Sequence, residues 1–226
     1  NEGEEKAQAT YNYNYAGDQI KTVTSFFYTA DALTSSNTNR VDNVTDDRTA
    51  VVLGAMKSIT TYLGNEGEEK AQATYNYNYA GDQIKTVTSF FYTADALTSS
   101  NTNRVDNVTD DRTAVVLGAM KSITTYLGNE GEEKAQTTYN YNYAGDQIKT
   151  VTGFTYTNDA LTLSVTNRAA NVTGDTAAVI LGAKKSETTY TGNEGEEKAQ
   201  ATYNYNYAGD QIKTVTSFFY TADALT

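Results

Sequence analysis

The 226-residue chain contains no cysteine, histidine, tryptophan or proline. Without cysteine and histidine it cannot form disulfides, thiolate zinc sites, haem ligation or the nucleophile–histidine pairs of many hydrolases. It also has no apolar run near the roughly 18 to 20 residues that a membrane-spanning helix needs. We therefore expect no cofactor and no membrane span in this segment.

Basic residues are scarce as well. The chain has 17 lysines and arginines against 28 aspartates and glutamates, which gives a net charge of −11. This balance disfavours nucleic acid as a partner, because phosphates attract basic surfaces. The acid is spread along the whole chain and forms no acidic tail, so it favours solubility and repulsion between neighbouring molecules.

The chain repeats itself with a period of 64 residues. Residues 1–64 (repeat 1) and 65–128 (repeat 2) are identical, and residues 129–192 (repeat 3) retain 49 of the 64 positions. Residues 193–226 begin a partial repeat 4 that is identical to the first 34 residues. A fixed period of this size is typical of arrays whose units bury their faces against one another. Catalysis normally needs one asymmetric constellation of residues, so we expect no enzyme.

Composition and periodicity both predict β-structure. Nineteen tyrosines, with abundant threonine and little leucine, are typical of strands. In 7–15, alanine and tyrosine alternate with polar residues, so Tyr11, Tyr13 and Tyr15 are expected to share one face of a strand. A turn follows, and the β-branched, aromatic-rich segment 20–29 predicts a second strand that pairs with the first as a hairpin.

The rest of the repeat is predicted to add two or three strands. A turn at 30–32 leads to a weakly strand-like segment at 33–41, and a polar loop follows at 42–48. Segments 49–55 and 57–63 are interpreted as two short strands. The alternative for this last part is a helix, which a glycine near its middle disfavours by about 1 kcal/mol. Each repeat would therefore contain four or five antiparallel strands.

Differences between repeats 1 and 3 indicate which strand faces are buried. Phe27 becomes threonine in repeat 3, whereas Phe26 is kept. Ile59 becomes glutamate, whose unpaired burial would cost several kcal/mol, whereas Tyr62 is kept. We therefore expect the faces of Phe26 and Tyr62 to be buried, that of Phe27 to be exposed, and that of Ile59 to be exposed or peripheral. The aromatic side chains expected in this core, or in a seam between repeats, are Tyr11, Tyr13, Tyr15, Phe26, Tyr28 and Tyr62.

The polar loop carries an N-glycosylation sequon, Asn-Val-Thr, in every full repeat. Its candidate acceptors are Asn43, Asn107 and Asn171. The triplet survives in repeat 3 although the surrounding loop is the most altered part of that repeat, which favours a glycan. The alternative is an ordinary loop asparagine.

One group of acids is a candidate calcium site, and a second group lies at the start of each repeat. Asp42, Asp46 and Asp47 have the hard oxygens that calcium prefers. Repeat 3 loses the first two of them, so a structural metal required by every repeat is not expected. The glutamates at positions 2, 4 and 5 of each repeat are expected to form a solvated turn beside Lys6.

Residues 13–17, Tyr-Asn-Tyr-Ala-Gly, are followed by Ile20 and a threonine- and valine-rich strand. This pattern resembles the tyrosine–aspartate (YD) repeats of Rhs and teneurin shells, which have Tyr-Asp-x-x-Gly, then leucine and another strand. Asn14 stands where the family has aspartate, and one extra residue precedes Ile20. The resemblance implies long β-hairpin ribbons in a bacterial cell-surface or secreted protein. It does not imply the closed shell, which has no strict 64-residue period.

These features predict an all-β fold of tandem 64-residue repeats, with antiparallel strands stacked into an elongated β-solenoid or fibre. A β-propeller is the architectural alternative. The expected function is that of a structural component of a long extracellular or cell-surface filament, with adjacent repeats or further chains of the same kind as partners. The functional alternative is an adhesive or carbohydrate-binding array, in which weak sites for glycans gain from multivalency.

Overall fold

The computed structural model describes residues 5–221 and 224–225, the last three of these by backbone alone. The described chain is dominated by strands, and its helical parts are two single turns of 3-10 helix, η1 (Arg48–Ala50) and η2 (Arg112–Ala114). None of its helices is long and apolar enough to cross a membrane. The strands are β1 (Ala9–Tyr13), β2 (Ile20–Thr29), β3 (Ala32–Val41), β4 (Leu53–Leu63), β5 (Lys70–Tyr77), β6 (Ile84–Thr93), β7 (Ala96–Val105), β8 (Leu117–Leu127), β9 (Lys134–Tyr141), β10 (Ile148–Thr157), β11 (Ala160–Ala169), β12 (Leu181–Thr191), β13 (Lys198–Tyr205), β14 (Ile212–Ser217), β15 (Tyr220–Thr221) and β16 (Ala224–Leu225).

Fourteen of these strands form one open antiparallel sheet, in which the order of hydrogen-bonded neighbours is the chain order from β1 to β14. β15 and β16 pair separately. The prediction of an all-β fold built from repeated antiparallel strands is confirmed. Each full repeat contributes four strands, the smaller of the two predicted numbers.

The chain divides into two compact units. One comprises Asn1–Phe90 with Thr102–Gly118, and the other Phe91–Asn101 with Ala119–Thr226. The first therefore holds repeat 1 and part of repeat 2, and the second holds the other part of repeat 2, repeat 3 and the partial repeat 4. The division falls within repeat 2.

The predicted hairpin is present, but the fourth strand differs from the prediction. β2 has the predicted bounds, and β1 pairs with it in a register that places Tyr11 opposite Val23. The two short strands predicted at 49–55 and 57–63 are wrong, because a 3-10 turn is followed by the single strand β4. Asp47 accepts a hydrogen bond from the Thr49 amide at 2.8 Å, which starts that turn before any strand can form.

Burial is sparse because a single sheet encloses little volume. The fully buried apolar side chains of repeat 1 are Ile20 and Val23, and repeats 2 and 3 bury the equivalent residues. A register shift in the β1–β2 pairing places Ile20 opposite Tyr13 and Val23 opposite Tyr11, so both residues lie on the same face. The loop between β3 and β4 lies at this end of β2, where the Ile20 amide donates to the Thr45 carbonyl at 2.8 Å. The Tyr13 hydroxyl reaches the neighbouring carbonyl of Asp46 at 3.3 Å.

The β3–β4 loop corrects the prediction about which face of β2 is buried. Val23 alternates in phase with Phe27, on the face expected to be exposed, yet Val23 is among the most buried residues of the protein. Phe27 itself is exposed, as the comparison of repeats predicted, and Phe26 is less exposed than Phe27 but only half-buried. The β3–β4 loop lies over one end of the face only, so burial varies along the same side of one strand.

The turn between β2 and β3 has left-handed backbone at two residues that are not glycine. Ala30 has φ 47° and Asp31 φ 70°, and in repeat 3 Asn158 and Asp159 have φ 49° and 66°. Two positive φ angles in a two-residue hairpin loop are the type I′ geometry, which matches the twist of the strands. Alanine is poorly suited to this conformation, whereas asparagine tolerates it.

Ala30→Asn is therefore expected to raise the free energy of unfolding by about 0.5 to 1 kcal/mol, a part of the left-handed penalty of an ordinary residue. Repeat 3 supplies the reciprocal control, because Asn158→Ala should lower it by a similar amount. Urea denaturation of the whole chain measures both. A change of the same sign in the two variants would contradict this account of the turn.

Candidate functional site

Charged side chains connect the β2–β3 turn to the turn that opens the next repeat. The Lys6 ammonium lies 2.9 Å from the Asp31 carboxylate and 3.1 Å from that of Glu66. It also donates to the Asp31 carbonyl at 2.6 Å and lies 5.6 Å from the centre of the Tyr28 ring. We call Lys6, Tyr28, Asp31 and Glu66 the junction cluster, because Glu66 belongs to repeat 2 and the other three to repeat 1.

The same cluster recurs between repeats 3 and 4. Lys134 lies 2.7 Å from Asp159 and 3.1 Å from Glu194, and its ammonium is 5.8 Å from the centre of the Tyr156 ring. The hydrogen bond to Asp159 raises the pKa of Lys134 above its ordinary value. The lysine of each cluster therefore stays charged at neutral pH and holds acids from two successive repeats together.

A second contact between repeats runs through Glu69. Its carboxylate accepts hydrogen bonds from the Leu33 amide at 2.8 Å and from the Gly67 amide at 2.9 Å. In repeat 3, Leu161 donates to Glu197 at 2.9 Å in the same way. The bond from Leu33 is the main reason why the pKa of Glu69 lies below its ordinary value.

The prediction that the glutamates at positions 2, 4 and 5 form a solvated turn is therefore incomplete. In repeat 1, Glu2 and Glu4 lie outside the described residues. In repeat 2, Glu69 at the fifth position binds the backbone of the preceding repeat, while Glu66 at the second position joins the junction cluster. Sequence reasoning missed both roles, because no pattern distinguishes the three glutamates from one another.

Glu69→Gln is expected to lower stability at neutral pH and to weaken the loss of stability on acidification. Because the carboxyl of Glu69 has its lowered pKa only in the folded state, the unfolded chain binds the proton first. The stabilisation is thus present above the ordinary glutamate pKa of about 4.3 and is lost as pH falls through the lower pKa of the folded state. Urea denaturation between about pH 7 and about pH 3 measures this effect.

The control is Glu68→Gln, since Glu68 is an exposed glutamate of the same turn that accepts only a long hydrogen bond, 3.4 Å from the Asn65 side chain. The difference between Glu69→Gln and the parent chain should shrink toward acidic pH. An equal effect of both substitutions at every pH would contradict the assigned contact.

The tyrosines predicted to lie in a core or seam fall into two groups. Tyr28 and Tyr62 are half-buried with bonded hydroxyls: Tyr28 donates to the Ala7 carbonyl at 2.9 Å, and Tyr62 lies 3.1 Å from the Ser36 hydroxyl. Tyr11 is half-buried, with the Arg48 guanidinium 6.0 Å from its ring centre. These side chains hold neighbouring strands together at the sheet surface.

Tyr13 and Tyr15 are more exposed than a core requires. Tyr13 is exposed in repeat 1, and its repeat 2 equivalent Tyr77 is half-buried. Tyr15 is 67 % exposed, which excludes the core and leaves the seam as the predicted position that can apply. The cause is that β1 ends at Tyr13, and the Asn14 side chain accepts the Asp18 amide at 3.1 Å and turns the chain.

The equivalents of Tyr15 in later repeats do contact the preceding repeat. The Arg40 guanidinium lies 5.0 Å from the centre of the Tyr79 ring, and Arg168 lies 5.2 Å from that of Tyr207. Stacking of arginine on an exposed aromatic ring is a modest stabilising contact, worth about 0.5 to 1 kcal/mol at such sites. This tyrosine therefore belongs to the seam between repeats.

The sequon asparagines shape the loop that covers Ile20. Asn43 donates from its amide nitrogen to the Ala50 carbonyl at 2.8 Å and accepts the Val52 amide at 2.9 Å. Asn107 and Asn171 make the same two bonds in their repeats. These bonds alone are enough to explain why the asparagine of the triplet survives in repeat 3. Glycosylation stays a prediction, and it would have to attach at a nitrogen that already donates to the backbone.

Of the three loop aspartates, repeat 3 keeps only the third, and its hydrogen bonds explain why. The Asp47 carboxylate accepts bonds from the Thr49 amide and hydroxyl, which lower its pKa. Repeat 3 keeps this acid as Asp175, which accepts the Ala177 amide at 2.9 Å. The acid retained is the one that caps the turn. Among the described residues, no group of three or more acids is placed to hold a metal ion.

The glutamate that replaces Ile59 in repeat 3 is tolerated because it is paired. Lys184 replaces Met56, and its ammonium lies 2.6 Å from the Glu187 carboxylate. Lys184 also lies 5.0 Å from the centre of the Tyr205 ring. Ile59 itself is half-buried, which agrees with the prediction that its face is exposed or peripheral. Two changes that look independent in the sequence therefore create one ion pair.

Open grooves lie beside the junctions of repeat 3. One, of about 590 Å³, is lined by Lys134, Tyr156, Asp159 and Glu194 together with the apolar side chains of Leu127 and Phe154. Another, of about 520 Å³, lies at the next junction and includes Glu196 and Lys198. Grooves that combine an aromatic ring with charged and amide groups can bind polar ligands.

No protein-family model matches the chain, and no curated protein matches it. The functional conclusion therefore depends on the geometry of the repeats.

Proposed function

We propose that the chain is a structural component of a long extracellular or cell-surface filament built from tandem β repeats. The main support is the junction between repeats. β4 of repeat 1 pairs with β5 of repeat 2 from Ser58↔Asn76 to Leu63↔Lys70, with one register shift after Thr61. Each added repeat can join the sheet by the same backbone pairing that holds strands within a repeat, so the number of repeats has no built-in limit.

Side chains reinforce each junction in the same way. The junction cluster, the bond between Glu69 and Leu33, and the stacking of Arg40 on Tyr79 all join consecutive repeats. Thr60 and Thr74 add a hydroxyl pair across the boundary, 2.9 Å apart. Such nearest-neighbour contacts suit a load-bearing array, in which every repeat is held by the next.

The location outside the cell is supported by composition and by the resemblance to YD repeats. A tyrosine-, threonine- and asparagine-rich chain with distributed negative charge stays soluble and repels its neighbours, which suits separate filaments on a surface.

Electron microscopy of the chain with two or four additional copies of repeat 2 tests this proposal. The expected result is a particle whose length increases by the same increment for each copy, and antibody labelling of the producing cells should mark filaments at the surface. Particles of constant length, or labelling confined to the cell interior, would contradict the filament.

An adhesive or carbohydrate-binding array is the second candidate, supported by the grooves at successive junctions. Weak binding at each groove would rise steeply with the number of repeats. Glycan-array binding that grows with copy number and is lost in Tyr156→Ala would favour this function over a purely mechanical one.

A further inference from the structure

A groove on repeat 3 collects many of the substitutions that distinguish this repeat from the others. It has a volume of about 400 Å³ and lies over β9, β10 and β11, beside the loop that leads to β12. Five of its eleven lining residues differ from those of repeat 1, against 15 of 64 in the repeat as a whole. The five are Thr137, Gly153, Thr155, Val165 and Thr176. They are far apart in the sequence and meet only because the strands pair.

The register of the strands places Gly153 at the centre of the groove. Gly153 lies opposite Thr137 in β9 and opposite Val165 in β11. In the neighbouring row, Val151 lies opposite Tyr139. Opposed residues of antiparallel strands share one face of the sheet, so these two rows form the floor. A Cβ atom added at Gly153 would meet nothing within 4 Å, which shows that the space above the floor is open.

Repeat 1 has larger side chains at two of these places. Phe27 stands where repeat 3 has Thr155, and Ser25 stands where it has Gly153. The phenyl ring and the hydroxymethyl group take up space that threonine and glycine leave open. Repeat 3 therefore has a groove within the size range of ligand sites, about 300 to 1,000 Å³, on a face that repeat 1 fills.

The tyrosine ring in this groove lacks the arginine that stacks on its counterpart in repeat 1. There, the Arg48 guanidinium lies 6.0 Å from the centre of the Tyr11 ring. Repeat 3 has Tyr139 and Thr176 at these two positions, and both line the groove. The groove side of the Tyr139 ring is thus available to stack on a ligand.

The other lining groups suit an uncharged ligand that carries hydroxyls. None of the described residues that line the groove is charged, although 20 % of the chain is. The Asn167 nitrogen donates to the Gly182 carbonyl at 2.9 Å, which fixes the carboxamide and leaves its oxygen as an acceptor. Hydroxyls that can donate or accept belong to Thr137, Thr155 and Thr176. A pyranose ring matches this set, because it combines an apolar face of C–H groups with hydroxyls at its edge.

We infer that the groove of repeat 3 is a binding site for an uncharged saccharide, with one pyranose ring stacked on Tyr139. The other repeats have the larger residues of repeat 1, so this chain should bind one saccharide at such a groove. The site goes beyond the filament, which needs no ligand. It deepens the carbohydrate-binding candidate by naming the ligand class and a site away from the junctions, and only in that use does it rest on the proposed function.

Isothermal titration calorimetry of the 226-residue chain with cellotetraose and chitotetraose tests the site. The substituents of these neutral tetrasaccharides lie at the ring edges, so both ring faces are apolar. At least one of them should bind with a stoichiometry of one per chain. Thr176→Arg should weaken binding at least about ten-fold, because arginine would stack on Tyr139 as Arg48 does on Tyr11. Ala177→Arg is the matched control: it adds the same charge at an exposed neighbour that does not line the groove, so affinity should be unchanged.

The groove can also be transferred to repeat 1, which tolerates the same fold. The transfer consists of five changes made together, and it should raise the stoichiometry from one to two: Ala9→Thr, Ser25→Gly, Phe27→Thr, Asn37→Val and Arg48→Thr. A stoichiometry that stays at one would overturn the assignment of these residues.

Two further results would overturn the site. One is the absence of binding of both saccharides, and the other is binding that Thr176→Arg leaves unchanged. Binding that persists in Thr176→Arg but is lost in Tyr156→Ala would place the saccharide in the junction groove instead, so the two sites fail separately. None of these results depends on whether filaments form, which the microscopy of added repeats decides.

Discussion

Ile84→Ala is expected to lower the free energy of unfolding by about 2 to 5 kcal/mol, the usual cost of truncating a buried isoleucine. Ile84 is 1 % exposed and lies beneath the loop whose Thr109 carbonyl accepts its amide at 2.8 Å. Few other apolar side chains of repeat 2 are fully buried, so little surrounding core can collapse into the space. The loss should therefore fall in the upper half of that range.

Ile212→Ala is the control within the same molecule. Ile212 has the same neighbours in sequence but is half-exposed at the open edge of the sheet, so its truncation should cost about 1 kcal/mol or less. Denaturation with urea or guanidinium measures both variants. Equal costs would mean that the β3–β4 loop does not protect Ile84 in solution.

A single repeat of 64 residues is expected to be largely unfolded or to aggregate, whereas three repeats fold. Within repeat 1, only Ile20 and Val23 are fully buried apolar side chains among the described residues. Isolation would also remove the β4–β5 ladder and the acceptor that Glu69 provides for Leu33. Both outer strands would then be open edges, which are templates for pairing with other chains.

Circular dichroism and light scattering on chains of one, two, three and four repeats measure this dependence. Stability should rise with repeat number and then level off, as in a one-dimensional chain of nearest-neighbour contacts. A single repeat that is monomeric and unfolds cooperatively would contradict it. In that case the repeats would behave as independent beads, and the adhesive array would become the better account of the protein.

The parts of the fold that were predictable from the sequence depend on short-range patterns. The alternation of β1 and the β-branched run of β2 predict a hairpin because strand faces have a period of two residues. The exact 64-residue period predicts equivalent environments, and the recurring bonds of Asn43, Asn107 and Asn171 agree with it. These features need no knowledge of what lies opposite each strand.

The predictions that were wrong or incomplete concern contacts made across the sheet or over it. Val23 is buried by a loop that folds back onto its face, and Tyr15 is exposed because Asn14 turns the chain one residue after β1 ends. The glutamate that replaces Ile59 was interpreted as exposed or peripheral because each substitution was considered separately. Its pairing with Lys184 is seen only in the structure. In each case the deciding partner lies in another element or at another substituted position.

By itself, the sequence determined the class of the protein: an all-β array of equivalent repeats, acidic throughout, with hairpins whose turns follow the strand pattern. Local alternation and exact repetition are sufficient for these conclusions, because they depend on residues that are neighbours in the chain. Only the tertiary structure decided which residues join the repeats and which are buried. In a single-layer sheet, burial depends on loops and on the next strand, so identical residues such as Ile84 and Ile212 differ by whether a neighbour is present.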